Sequence, residues 1–109
     1  MAKTRTTTSN LTVKITPNDK GNPAGKLGDA ELHFGEGGLA GLKLIGFSIW
    51  ERRGGTGRNV TFPAWQYAIN GERRSFALLR PIVDTAAQEA VRDRILEAYV
   101  EYEAVAATA

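Results

Sequence analysis

Apolar and polar residues alternate along most of the chain, and the alternation predicts strands. Leu11, Val13 and Ile15 alternate with Thr12, Lys14 and Thr16, the period of a half-buried strand. Asn, Asp, Gly and Pro crowd residues 18–25 and predict a turn. Ala30, Leu32 and Phe34 alternate with Glu31 and His33 as a second strand, closed by a loop at Gly35–Gly38. The third strand, Leu42 to Trp50, slips phase: Leu42 and Leu44 are followed by Ile45, Phe47 and Ile49. Gly46 lies at the slip, so a bulge or bend is expected there, keeping both sets inward. A Gly-rich turn, Arg52 to Arg58, leads to a strand with Val60 and Phe62, which Pro63 ends. Tyr67 and Ile69 run into Asn70-Gly71, a strong signal for a two-residue hairpin because both positions take positive φ. Phe76 and Leu78 alternate on the return strand, which Arg80-Pro81 closes.

The period then changes from two to that of a helix. Thr85-Ala86-Ala87-Gln88 has capping-box spacing. Ala87, Val91, Ile95, Ala98, Tyr99 and Tyr102 fall on one stripe, which predicts a helix packed on the sheet. Glu89, Asp93, Glu97 and Glu101 form an acidic row on the other side. Arg92 and Arg94 lie three residues from Glu89 and Glu97 and offset part of its self-repulsion. Leu96 and Val100 lie outside the core stripe and suggest a dimer contact. The expected organisation is a flexible tail over 1–10, a single domain over 11–103 and a frayed end over 104–109. The fold class is α+β: a twisted antiparallel sheet of five or six strands with one C-terminal helix on one face.

Charge refines this picture. Residues 1–83 hold twelve Lys and Arg against six Asp and Glu, whereas residues 84–109 hold two against six. A basic sheet region and an acidic helix therefore face different partners. With no cysteine there is no disulfide, thiolate zinc site or thiol nucleophile. No apolar run is long enough to span a membrane, and no apolar core follows the first basic residues, so no signal peptide is read. A bacterial cytoplasmic protein is expected, and the sequon at Asn59-Val60-Thr61 is read as chance.

Catalytic patterns fail one by one. His33 is the only histidine and is expected to point to solvent, so no triad can be assembled. Gly21–Leu27 spells a phosphate loop one residue short, with Leu27 in place of the magnesium-binding Ser or Thr, and it precedes a strand. Gly35, Gly37 and Ala40 spell a dinucleotide fingerprint that likewise leads into a strand. The acidic row is a solvated face rather than a carboxylate pair in a cleft. No enzyme, metal, cofactor or small-molecule substrate is expected.

The basic turns remain. Arg52, Arg53 and Arg58 flank one turn, and Arg73 and Arg74 follow the other, with Trp50, Trp65 and Tyr67 nearby in sequence. Guanidinium groups pair with phosphates, and aromatic faces stack on bases. The alternative is that turn arginines only guard sheet edges and the aromatics are core or dimer contacts.

The order of elements resembles the septation protein SpoVG family over about residues 11–102. The likeness is carried by Leu11–Ile15, Leu42-Lys43-Leu44-Ile45-Gly46, Val60-Thr61-Phe62-Pro63-Ala64, Asn70-Gly71-Glu72-Arg73-Arg74, Arg80-Pro81-Ile82 and Ile95-Leu96-Glu97-Ala98-Tyr99. The resemblance implies a small α+β domain that dimerises, binds nucleic acid and acts as a regulator in bacteria. The family places a Ser and a basic pair after the first proline, where this chain has Ala64, Trp65 and Gln66. The expected function is therefore non-enzymatic binding of DNA or RNA by a homodimer. Arg52, Arg53, Arg58, Arg73, Arg74 and Trp65 form the expected nucleic-acid surface, and Leu96 and Val100 the dimer contact. A single-strand binder resembling the positive-coactivator family is a variant of this reading. The alternative from another class is a self-assembling structural protein that binds no nucleic acid.

Overall fold

The computed structural model describes residues 11–52 and 57–108; the N-terminal segment expected as a tail, and Arg53, lie outside the described residues. The fold is α+β, with six antiparallel strands and one C-terminal helix among the described residues. Strands β1 (Leu11–Pro17), β2 (Lys26–Phe34), β3 (Lys43–Glu51) and β4 (Arg58–Thr61) form one sheet in sequence order. Among the described residues, strands β5 (Ala64–Ile69) and β6 (Glu72–Ala77) pair only with each other. The single sheet expected from the alternation is thus divided in two.

The division falls at Phe62-Pro63. Pro63 has no N–H to give a ladder, and it is buried. Its ring packs against Gly46, where a Cβ would lie 2.9 Å from Pro63 Cβ. Gly46 has φ of 108°, a conformation that residues with a Cβ rarely take. The register confirms the irregularity there: Ala30 opposes Phe47 but Leu32 opposes Leu44, so Ile45 and Gly46 together face only Glu31. The bulge does not bring both apolar sets inward. Leu44 is half-buried and Phe47 and Ile49 are buried, while Leu42 and Ile45 stand exposed.

Helix α1 (Ala86–Thr108) lies across the larger sheet and contacts both of its edge strands, β1 and β4. Ile95, Ala98 and Tyr99 are buried from the helix side, and Ala30, Leu32, Phe47, Ile49 and Val60 from the sheet. Phe62 closes the core edge-on to Phe47, with ring centroids 5.2 Å apart. Most of the expected stripe packs inward, but Ala87 is exposed. At the helix start the Ala86 N–H donates to Asp84 Oδ1 at 2.9 Å, and the Thr85 hydroxyl turns toward Glu89, so Asp84 supplies the cap. The helix continues to Thr108, through the stretch expected to fray. Arg94 donates to the Leu11 carbonyl at 2.8 Å and ties the helix to the first strand.

Candidate nucleic-acid interface

The β5–β6 hairpin turns through Asn70 (φ 53°) and Gly71 (φ 80°), with Ile69 paired to Glu72. The two-residue turn fixes the register: Trp65 opposes Phe76, Gln66 opposes Ser75, Tyr67 opposes Arg74 and Ala68 opposes Arg73. Opposed residues share a face, and successive residues alternate. One face therefore carries Trp65, Tyr67, Ile69, Glu72, Arg74 and Phe76. The other carries Ala64, Gln66, Ala68, Arg73, Ser75 and Ala77, with a Gln66–Ser75 side-chain hydrogen bond of 3.3 Å.

The first face is an exposed aromatic surface. Trp65 is 62% exposed, Ile69 46% and Phe76 43%. The Trp65 and Tyr67 rings are tilted with centroids 5.6 Å apart. The Arg80 guanidinium lies 4.2 Å above the Phe76 ring and is held by a hydrogen bond from Nε to the Ala77 carbonyl. Arg74 donates to Glu72 Oε1 at 3.2 Å on the same strand. Leu78 follows the strand, 59% exposed, with its N–H bonded to the Pro63 carbonyl across the base of the hairpin.

The structure does not gather all the arginines expected at the interface. Ser48 pairs with Thr61 and Glu51 with Arg58, so the Arg52–Arg58 turn joins the Glu51 end of β3. The hairpin leaves from Pro63, which sits at Gly46 in the other half of that strand. The two arginine groups therefore start from opposite halves of β3. Arg58 donates to Glu103 Oε2 at 2.8 Å, and its guanidinium lies 5.0 Å above the Tyr99 ring. It clamps β4 to the helix. Arg52 is exposed, with a long 3.5 Å contact from its Nε to the Arg58 carbonyl. Arg73 and Arg74 point to opposite faces, and only Arg74 shares a face with Trp65. Tyr67, Phe76 and Arg80 complete that face. The signal for Tyr67 and Phe76 was present in the sequence, since an Asn-Gly turn sets which residues oppose which; Arg80 lies beyond β6, outside that register.

The expected dimer contact is divided as well. Leu96 packs against the core, while Val100 is 56% exposed. Both line a shallow recess with Asp93 and Glu97.

His33 is half-buried on the outer face of the sheet, its Nε2 2.8 Å from Glu31 Oε1, with Lys43 Nζ 3.4 Å from the same oxygen. The hydrogen bond from His33, with help from Lys43, holds the Glu31 carboxyl below its ordinary value of 4.5. Burial, then the neighbouring Glu103, pushes the Tyr99 phenol up. Among the described residues no group of three His, Asp or Glu gathers closely enough to hold a metal ion, and no helix is long and apolar enough to cross a membrane. Compared with known proteins, the chain matches no family model, no curated protein and no solved structure.

Proposed function

We propose that this chain is a non-enzymatic nucleic-acid-binding protein, a cytoplasmic bacterial regulator that acts as a homodimer. The observation that carries the reading is the β5–β6 hairpin. It stands outside the core and bears exposed rings with Arg73 and Arg74, against Glu72 alone among carboxylates. Arg80 joins them at its base. Guanidinium groups beside aromatic faces fit a polyanion whose bases are flat rings. The likeness of the element order to the SpoVG family supports the same reading. Arg52 adds positive charge at a separate turn, and the acidic row on α1 turns phosphate away from the helix. Val100, with the outer side of Leu96, is the proposed dimer contact.

The test is a titration of labelled DNA and RNA at increasing salt. Each phosphate contact contributes roughly 0.7 to 0.9 to the slope of log affinity against log salt. The double change Arg73→Ala with Arg74→Ala is expected to weaken binding and flatten the slope. A wild-type protein that shows no salt-dependent binding at low ionic strength rules the reading out.

A second reading, self-assembly without nucleic acid, is favoured by a different observation. Ile82 is 97% exposed and Val83 90%, in the segment between the hairpin and the helix. Stacking on bases needs neither of them, and apolar exposure of this kind suits a protein contact. The same titration, run beside a measurement of mass against concentration, separates the two.

A further inference from the structure

We infer that the Trp65 face of the hairpin is a stacking platform for unpaired bases, so that the nucleic acid it takes is single-stranded DNA or RNA. The inference rests on the nucleic-acid reading above and names the substrate class of that site.

A duplex buries the faces of its bases against one another. A protein that reads only the phosphates of a duplex needs cations and no exposed rings. Here rings and cations alternate on one surface. Trp65 lies opposite Phe76, and Tyr67 lies opposite Arg74. Arg80 lies over Phe76, its guanidinium carbon 4.2 Å from the ring centroid, so a cation sits directly on the aromatic surface. Bases can insert beside the rings while the guanidinium groups meet the phosphates between them. The six residues of β5 span about 20 Å, room for a few unstacked nucleotides. Among the described residues neither outer edge of the hairpin pairs with another strand, and Trp65 on its face stands 62% exposed.

Charge favours this occupant over a second copy of the chain. The segment 64–80 carries three arginines and one glutamate. The face itself carries Arg74 and Arg80 against Glu72, which pairs with Arg74, so two copies pressed together through it would meet at a net positive surface, at a modest cost from like charge. A polyanion gains from the same groups. Arg73 lies on the opposite face, so it contributes charge at a distance but does not belong to the platform.

The test measures the full chain against labelled oligo(dT), oligo(rU) and a duplex of equal length, by fluorescence anisotropy at low salt. Single strands of either sugar are expected to bind more tightly than the duplex. Trp65→Ala and Phe76→Ala are each expected to lose about tenfold or more on single strands, from one stacked base, and to change duplex binding little. Trp65→Phe keeps a ring and retains most of the affinity. Arg74→Ala weakens single-strand binding more than Arg73→Ala. Oligo(dT) quenches Trp65 emission in the wild type, with the Trp65→Phe variant giving the Trp50 background; this arm decides the matter if Trp65→Ala fails to fold. A duplex bound as tightly as single strands, or an unchanged affinity in folded Trp65→Ala, overturns the inference and leaves salt-dependent nucleic-acid binding standing. A Trp65→Ala change that breaks a dimer while single-strand affinity is unchanged assigns the face to a second copy and also overturns it. No salt-dependent binding to any of the three probes removes the nucleic-acid reading itself, and the platform with it.

Discussion

Two glycines with positive φ separate two physical costs. Gly71 (φ 80°) faces open space, and a Cβ there would meet nothing within 4 Å. Gly71→Ala is expected to cost about 1 kcal/mol, from backbone conformation alone. Gly46 (φ 108°) carries a similar conformational penalty and a clash with Pro63. Gly46→Val is expected to cost about 2–4 kcal/mol, since the proline ring cannot swing aside as a flexible side chain would. Urea denaturation midpoints of the two variants check the difference; equal losses would show that Pro63 gives way. The phase slip in the sequence located Gly46 as a bulge. It did not reveal which neighbour crowds it, because Pro63 arrives from 17 positions away along the chain. It also misplaced Ile45, because which of two adjacent residues a bulge turns outward depends on the partner strand. Glu31 makes a prediction in pH. Its carboxyl titrates below 4.5, so its contribution to stability is complete above that pH and disappears as pH falls through the lowered value. Denaturation midpoints measured from neutral pH into the acid range are expected to fall less steeply for Glu31→Gln than for the wild type.

At the scale of elements, one arginine is distinguished from its neighbours by what it joins. Arg58 bridges β4 and the C-terminal half of α1 through Glu103 and the Tyr99 ring. Both charged side chains are more than a third exposed, so the ion pair is screened and modest in strength. Arg58→Ala is expected to lower stability by about 1 kcal/mol and to leave nucleic-acid affinity unchanged, measured by denaturation and by the salt titration. A loss of affinity with unchanged stability would return Arg58 to the binding surface. The strands and the helix were readable because each buries one face and repeats its pattern over several residues. The role of Arg58 was not, since a turn arginine and a core clamp have the same local sequence. The hairpin register was readable to the residue, because Asn70-Gly71 admits one loop length. Its separation from the larger sheet was signalled by Pro63 but not decided by it, since a proline also sits at edges and bulges.

At the scale of the whole molecule, positive and negative charge are placed on different elements, each beside exposed apolar surface. The hairpin bears rings and arginines, the helix an acidic row, and the recess at Val100 lies within that row. A dimer through this recess must align the two helices so that Asp93 and Glu97 of one copy avoid those of the other. Light scattering is expected to give a dimer mass at high micromolar concentration, with Val100→Ser shifting it toward the monomer. A dimer indifferent to Val100→Ser would move the contact to Ile82 and Val83. A lone two-stranded ribbon is marginally stable in water, and the β5–β6 hairpin is held at its base by the Leu78–Pro63 hydrogen bond rather than by a shared ladder. Its amides should exchange with solvent by local opening, well ahead of those in β2 and β3, which wait for global unfolding. The protein then has two cooperative units in one small chain. The outer one can be remodelled by mutation, or ordered by whatever binds it, while the melting of the inner one stays where it was.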